Sequence, residues 1–91
     1  MKFLVMVKWT PENVPKIRER AKMKMPSLEG KFLFPMHTIV GTNSAFYIVE
    51  TDSIGDIIRL TWPYTDVMTI DTRPIEENTE LGKFAQSEKL W

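Results

Sequence analysis

The chain has one histidine, and it is the first candidate for chemistry. His37 lies in the apolar run FLFPMHTIV, whose composition is typical of a β-strand. An imidazole changes its charge near neutral pH, so it can act as a general acid or base when a carboxylate orients it. Glu50, in the next apolar run, is the candidate carboxylate. The two form the candidate catalytic pair; the alternatives are a structural histidine at a sheet edge and a solvated glutamate at a strand end.

The register of one hairpin decides whether this pair meets. The run that holds His37 is joined by GTNS to the run AFYIVET, which predicts a β-hairpin. A two-residue turn would place His37 opposite Ile48, with Glu50 as its diagonal neighbour. A three-residue loop would instead place it on the face of Tyr47. A slip of one residue exchanges the two faces, and the sequence leaves both registers open.

Four aromatic residues are candidates for lining a ligand pocket: Trp9, Tyr47, Trp62 and Tyr64. Flat amphipathic rings hold apolar ligands and offer a hydrogen bond at their polar end. The alternative for each of them is a place in the hydrophobic core.

We expect no cofactor. The chain has no cysteine and one histidine, so it lacks the ligands of a zinc site, and His37 is the sole ordinary axial ligand for a haem. The four glycines are scattered and form no phosphate-binding loop. The basic residues of KIRERAKMK spread around a helix, and the net charge is zero, so we expect no nucleic-acid partner.

Length and composition predict a single domain over residues 1–91, with a tail from about residue 76. The opening MKFLVMVK is too short for a signal sequence or a membrane span, which predicts a cytoplasmic protein without a membrane partner. The chain has one glutamine and three asparagines, an amide-poor composition that is sometimes found in thermophiles.

Hydrophobic periodicity predicts an α+β domain. The order is strand, helix, two strands, helix and strand, followed by a weakly helical tail, with predicted bounds of 2–9, 10–25, 31–40, 45–51, 53–63 and 66–75. Ser53 and Asp56 are spaced like a capping box for the second helix. Pro35 predicts an edge strand or a bulge. This order is the ferredoxin-like βαββαβ arrangement, with a four-stranded antiparallel sheet and both helices on one face.

The uncovered sheet face predicts a homodimer. In the first strand, Leu4 and Met6 point to one face and Val5 and Val7 to the other, so both faces are apolar. Burying roughly 600 Å² of the uncovered face would contribute about 15 kcal/mol before the costs of association. A second copy, sheet against sheet, is the simplest cover.

Three segments, FLVMVKWTPE, GTNSAFYIVETDS and WPYTDVMTIDTRPI, resemble an uncharacterised family of small domains of unknown function in the dimeric α/β-barrel superfamily. The resemblance implies a pocket between sheet and helices, or inside a barrel formed by two sheets. Relatives in that superfamily include cofactor-free monooxygenases, lactone isomerases, haem-degrading enzymes and ligand-sensing domains, but none of their catalytic motifs matches residues of this chain.

Three functions therefore compete. The first is a homodimeric domain that binds an apolar or aromatic small molecule. The second is an enzyme of the monooxygenase or isomerase type that uses His37. The third is an interaction and assembly module, because residues 1–45 carry an excess of five positive charges and residues 46–91 an excess of five negative charges.

Overall fold

The structure is a computed structural model that describes residues 1–90. It is α+β, as predicted. Its elements are β1 (Lys2–Lys8), α1 (Val14–Ala21), β2 (Lys31–Thr38), β3 (Ser44–Glu50), α2 (Ile54–Thr61), β4 (Thr69–Ile75) and α3 (Asn78–Ser87), with short 3₁₀ turns at Pro11–Asn13 and Trp62–Tyr64. Within the described residues, no helix combines the length and apolar character needed to cross a membrane.

The four strands form one antiparallel sheet in the order β2-β3-β1-β4. The two central strands, β1 and β3, are distant in sequence and are joined through the first helix and an edge strand. This arrangement is consistent with a ferredoxin-like domain. The four-stranded antiparallel sheet is confirmed, and the tail contains a helix, α3.

The core lies on the sheet face that the helices cover, which we call the helix face. Its buried residues alternate along the two central strands, with Val5, Val7, Tyr47 and Val49 at 4% exposure or less. Side chains of α2 pack against them from above. The opposite face, which we call the open face, has no helix over it. The period of two in a strand therefore divides the apolar residues between a covered and an uncovered surface.

β2 is an edge strand, and its pairing with β3 shifts on both sides of Phe34. The prediction from Pro35 of an edge strand or a bulge is confirmed, because the sheet has both. A proline has no N–H to donate to a ladder, so it is tolerated at an edge where the pairing is already interrupted.

Both predicted hairpin registers are wrong. His37 pairs with Phe46. The chain reverses in a tight turn in which Thr42 N–H donates to the carbonyl oxygen of Ile39 at 3.1 Å. Gly41 takes φ +88° in this turn, a conformation that favours glycine. The turn runs from Ile39 to Thr42 and thus lies earlier in the chain than GTNS suggested. Gly41 is the third residue of this turn, whereas the prediction placed it just before the turn.

α1 is shorter than predicted, ending at Ala21 where the sequence predicted a helix to Met25. Pro26 disfavours the helical conformation at the residue before it. Met23 is 74% exposed, so no packing compensates for extending the helix.

α3 has one buried residue, Ala85, and the rest of its surface is largely exposed. The radius of gyration is 15.7 Å, against about 12 Å for a compact chain of this length. Leu81, Phe84 and Leu90 are each at least 47% exposed. The C-terminal region thus presents an apolar surface that the described chain does not cover.

Candidate functional site

An apolar cavity of about 300 Å³ lies between the helix face and the helices. The sheet, both helices and the turn after α2 all contribute to its wall, which is formed by Val7, Ile17, Ala21, Met25, Phe32, Pro35, Met36, Tyr47, Leu60, Tyr64, Met68 and Ile70. None of these side chains is charged. α1 has no fully buried residue, and its Ile17 and Ala21 line the cavity.

Tyr47 is the more buried of the two tyrosines that line this cavity. Its side chain is only 4% exposed, and its ring contacts Phe32 edge to face at 5.6 Å between ring centroids. Within the described residues, the hydroxyl has no hydrogen-bond partner. Every side-chain polar atom that is sealed from solvent in this part of the chain does have a partner. The hydroxyl is therefore accessible from the cavity. Burial, with a smaller contribution from Tyr64, raises the pKa of Tyr47 to about 12, so the phenol keeps its proton.

The mouth of the cavity is formed by flexible side chains. Met25 and Met36 are 63% and 55% exposed and both line the cavity. Methionine is unbranched and adapts its shape to what it contacts. The entrance can therefore widen without a change of backbone.

One side of the cavity is fastened by an ion pair between α1 and the segment before β4. The guanidinium of Arg20 donates to both carboxylate oxygens of Asp66, with Nη2 at 2.6 Å from Oδ2, and to the carbonyl oxygen of Pro63 at 2.7 Å. Tyr64 lies within the segment that this arginine holds. The pair therefore fixes α1 relative to one wall of the cavity.

The Arg20–Asp66 pair has a measurable signature in pH. The hydrogen bonds from Arg20 lower the pKa of Asp66 from its ordinary value near 3.8 to about 2. Because this pKa is depressed in the folded protein, the pair stabilises the fold above about pH 4, and the contribution is lost as the pH falls through about 2. We expect Arg20→Gln to raise the pKa of Asp66 toward 3.8, as measured by ¹³C NMR of the carboxyl groups.

Asp52 is the internal control for this titration. Its pKa is lowered by a hydrogen bond from the N-terminal ammonium group, 2.9 Å away, and not by Arg20. We expect its pKa to be the same in the wild-type and Arg20→Gln proteins. An unchanged pKa of Asp66 in the variant would contradict the assigned ion pair.

The structure brings two of the four candidate ligand-binding aromatics, Tyr47 and Tyr64, into one cavity. Trp9 packs against the core and lines a separate depression of about 260 Å³ at the end of the sheet. Trp62 is 67% exposed.

His37 and Glu50 lie at opposite ends of the hairpin. His37 is opposite Phe46 and Glu50 is opposite Lys31, so four residues of β3, or about 13 Å, separate their positions. The imidazole is exposed, its Nδ1 lies 2.6 Å from the carbonyl oxygen of Pro35, and its ring stacks on Phe34 at 4.2 Å between ring centroids. Glu50 forms a 3.8 Å ion pair with Lys31. The geometry therefore provides no acid/base pair from these two residues.

The role of Asp56 was not predicted from the sequence. The predicted capping box is absent, because the Ser53 side chain caps nothing and the Asp56 carboxylate points away from the helix end. This carboxylate is fully buried and accepts hydrogen bonds from the N–H groups of Glu29 and Gly30, at 3.0 and 2.8 Å, and from the hydroxyl of Thr51 at 2.7 Å. These bonds, that from Thr51 above all, lower its pKa. Asp56 thus joins α2 to the chain segment entering β2.

Within residues 1–90, no group of three histidine, aspartate or glutamate side chains is arranged to hold a metal ion.

The fold and the cavity define a small α+β domain in which a four-stranded antiparallel sheet and two helices enclose an apolar space. The chain belongs to the DUF3303 family, a domain of unknown function, whose family model matches residues 1–89. The predicted membership of an uncharacterised family is therefore confirmed. A search of curated proteins finds no match.

Proposed function

We propose that this protein binds an apolar or aromatic small molecule in the cavity between the helix face and the helices. One observation carries the proposal: a space of about 300 Å³ with uncharged walls contains the hydroxyl of Tyr47, which is open to the cavity and has no hydrogen-bond partner in the described chain. Small-molecule sites are typically concave and mostly apolar, with a few polar groups that orient the ligand.

The size of the cavity limits the ligand. About 300 Å³ lies at the lower end of the range for ligand sites, which suits a molecule of one or two rings and not a nucleotide or a haem. Three of the lining residues, Met25, Met36 and Met68, are methionines that can adjust to different outlines.

The same proposal includes a homodimer formed through the open face, as in a dimeric α/β barrel. Leu4, Met6, Phe34, Phe46 and Ile48 are neighbours at its centre, with Met6 opposite Phe46 and Leu4 opposite Ile48. Phe34 stacks on Phe46 with a ring-centroid distance of 5.6 Å. Met6 and Phe34 are 36% and 38% exposed. A contiguous apolar cluster of this kind is typical of an interaction surface.

The dimensions and charges of the open face favour a second copy as its partner. Four strands of about seven residues span roughly 19 by 23 Å, and the exposed apolar residues of α3 would add to the contact. The centre is bordered by charges of both signs, including Lys2, Lys8, Asp71 and Arg73. A surface with both signs can be complementary to itself under two-fold symmetry.

The two competing functions receive less support. The enzyme hypothesis requires a carboxylate beside His37, whose neighbours are instead Phe34, Phe46 and a backbone carbonyl. The assembly hypothesis relies on opposite charges in the two halves of the chain. Several of those charges pair within one chain, as in the Lys2–Glu77 pair at 3.2 Å.

Filling the cavity is the direct test of ligand binding. Ala21 lines it from α1, and Ala21→Phe would place a ring in the space that a ligand needs. With naphthalene as the probe, we expect binding to the wild-type protein and affinity at least about tenfold lower in the variant, because the apolar contacts of the probe are lost. Ligand-observed NMR measures both affinities.

Lys22→Phe is the matched control. It adds the same ring to the next residue, which ends α1 and does not line the cavity. We expect it to bind naphthalene as the wild-type protein does. Equal affinity of the Ala21→Phe and wild-type proteins, or no binding to either, would refute the proposed site.

A further inference from the structure

We infer that the ligand of this cavity is an uncharged molecule that accepts a hydrogen bond from the hydroxyl of Tyr47. The inference rests on the proposed function and adds to it the chemical class of the ligand. Its basis is the contrast between one donor that is open to the cavity without a partner in the described chain and a wall without charge.

The Tyr47 hydroxyl is the group that requires a partner. No group of residues 1–90 bonds this hydroxyl, and although the Tyr47 side chain is only 4% exposed, the hydroxyl itself is open to the cavity. A ligand that covers the hydroxyl must therefore supply an acceptor in place of water. The ring is held by Phe32 from the side and by the buried valines of the neighbouring strand positions. The hydroxyl is thus held at a fixed place in the cavity before any ligand enters.

Because the Tyr47 phenol is protonated, it favours a ligand that accepts a hydrogen bond. With its pKa raised to about 12, Tyr47 is neutral at physiological pH and offers an O–H. A ligand carbonyl or ether oxygen would accept from it. A cationic ligand would find no phenolate and no carboxylate in the lining.

The wall of the cavity disfavours a ligand with a net charge. An isolated ion loses its hydration in an apolar space, and only a nearby opposite charge compensates for that loss. The lining contains no cationic side chain, and Arg20, which precedes the lining residue Ala21 on α1, already binds Asp66 and the carbonyl oxygen of Pro63. An anionic ligand would therefore be desolvated without a counter-charge.

Three probes of similar shape test separately whether the ligand needs an acceptor and whether the cavity disfavours a charge. Naphthalene is apolar, 2-acetylnaphthalene adds one neutral acceptor, and 2-naphthoate adds a charged one. We expect the wild-type protein to bind 2-acetylnaphthalene about tenfold more tightly than naphthalene, because the ketone accepts from the Tyr47 hydroxyl whereas naphthalene covers it without an acceptor. We expect 2-naphthoate to bind at least about tenfold more weakly than the ketone. Calorimetry or ligand-observed NMR measures the three affinities.

Tyr47→Phe removes the donor and keeps the ring. We expect it to abolish the preference for 2-acetylnaphthalene over naphthalene. Because the hydroxyl has no partner in the described chain, the variant is expected to keep the wild-type fold, which circular dichroism verifies. The wild-type comparison of the three probes does not depend on this variant.

The possible failures are distinguishable. If naphthalene binds and Ala21→Phe weakens it, but the ketone has no advantage or the naphthoate binds as tightly as the ketone, the inferred ligand class is wrong and the proposed binding function stands. If Tyr47→Phe retains the full advantage of the ketone, Tyr47 is not the anchor. If no probe binds, both the inference and the proposed function are refuted.

Discussion

Phe46→Lys is expected to convert the proposed homodimer into a folded monomer. Phe46 lies at the centre of the open face, on a central strand, between Met6 on one side and His37 on the other. Under two-fold symmetry each substitution occurs twice, so two ammonium groups would enter the contact. Buried charges without partners and the lost ring contacts should raise the dissociation constant at least about 1,000-fold.

Sedimentation velocity between about 1 and 100 µM protein measures this change. Ile54→Lys is the matched control, because Ile54 is also a large apolar residue but lies on α2 and is 78% exposed. The control should sediment as the wild-type dimer, and both variants should retain the wild-type circular dichroism. A wild-type protein that sediments as a monomer over this range would refute the homodimer.

Gly30→Ala is expected to be among the most destabilising single substitutions. A Cβ at this position would collide with the carbonyl oxygen of Glu50 and lie 2.6 Å from Cβ of Thr51. Both obstacles belong to the end of β3, and the Gly30 N–H is bonded to the buried Asp56 carboxylate, so neither side can move freely. We expect a loss of about 3 kcal/mol or more in the free energy of unfolding, measured by urea denaturation.

Gly55→Ala provides the comparison for this prediction. A Cβ there would lie 3.2 Å from the Ser53 hydroxyl oxygen and 3.3 Å from the Arg59 guanidinium, which are ends of side chains that can rotate away. Alanine also favours the helix in which Gly55 lies. We expect a change within about 1 kcal/mol. Similar losses in the two variants would show that the close approach at Gly30 is not the cause.

The strands of this fold are predictable from the sequence because their signals are local. Alternation of apolar residues marks β1 and β3 within seven residues each, and Pro35 by itself indicates the interrupted edge strand. The two-sided apolar character of β1 likewise follows from composition alone. The outcome is a sheet with an apolar helix face and an apolar centre on its open face.

The helix limits and the hairpin register were harder to predict. The predicted turn is centred on Thr42 and Asn43, and the observed turn is centred on Val40 and Gly41. The two turns thus differ by two residues in position. Which of them forms depends on the pairing of the whole hairpin, including the bulges around Phe34. A local pattern cannot weigh that pairing, and so the neighbours of His37 were predicted wrongly.

The sequence by itself determined the α+β class, the strands and the presence of a proline-interrupted edge, since each depends on residues close together in the chain. Only the tertiary structure decided that Tyr47 and Tyr64 share a cavity and that Asp56 bonds the backbone before β2. It also decided that His37 and Glu50 are far apart. These facts depend on contacts between residues 17 to 27 positions apart or on strand register, which no local pattern of side chains encodes.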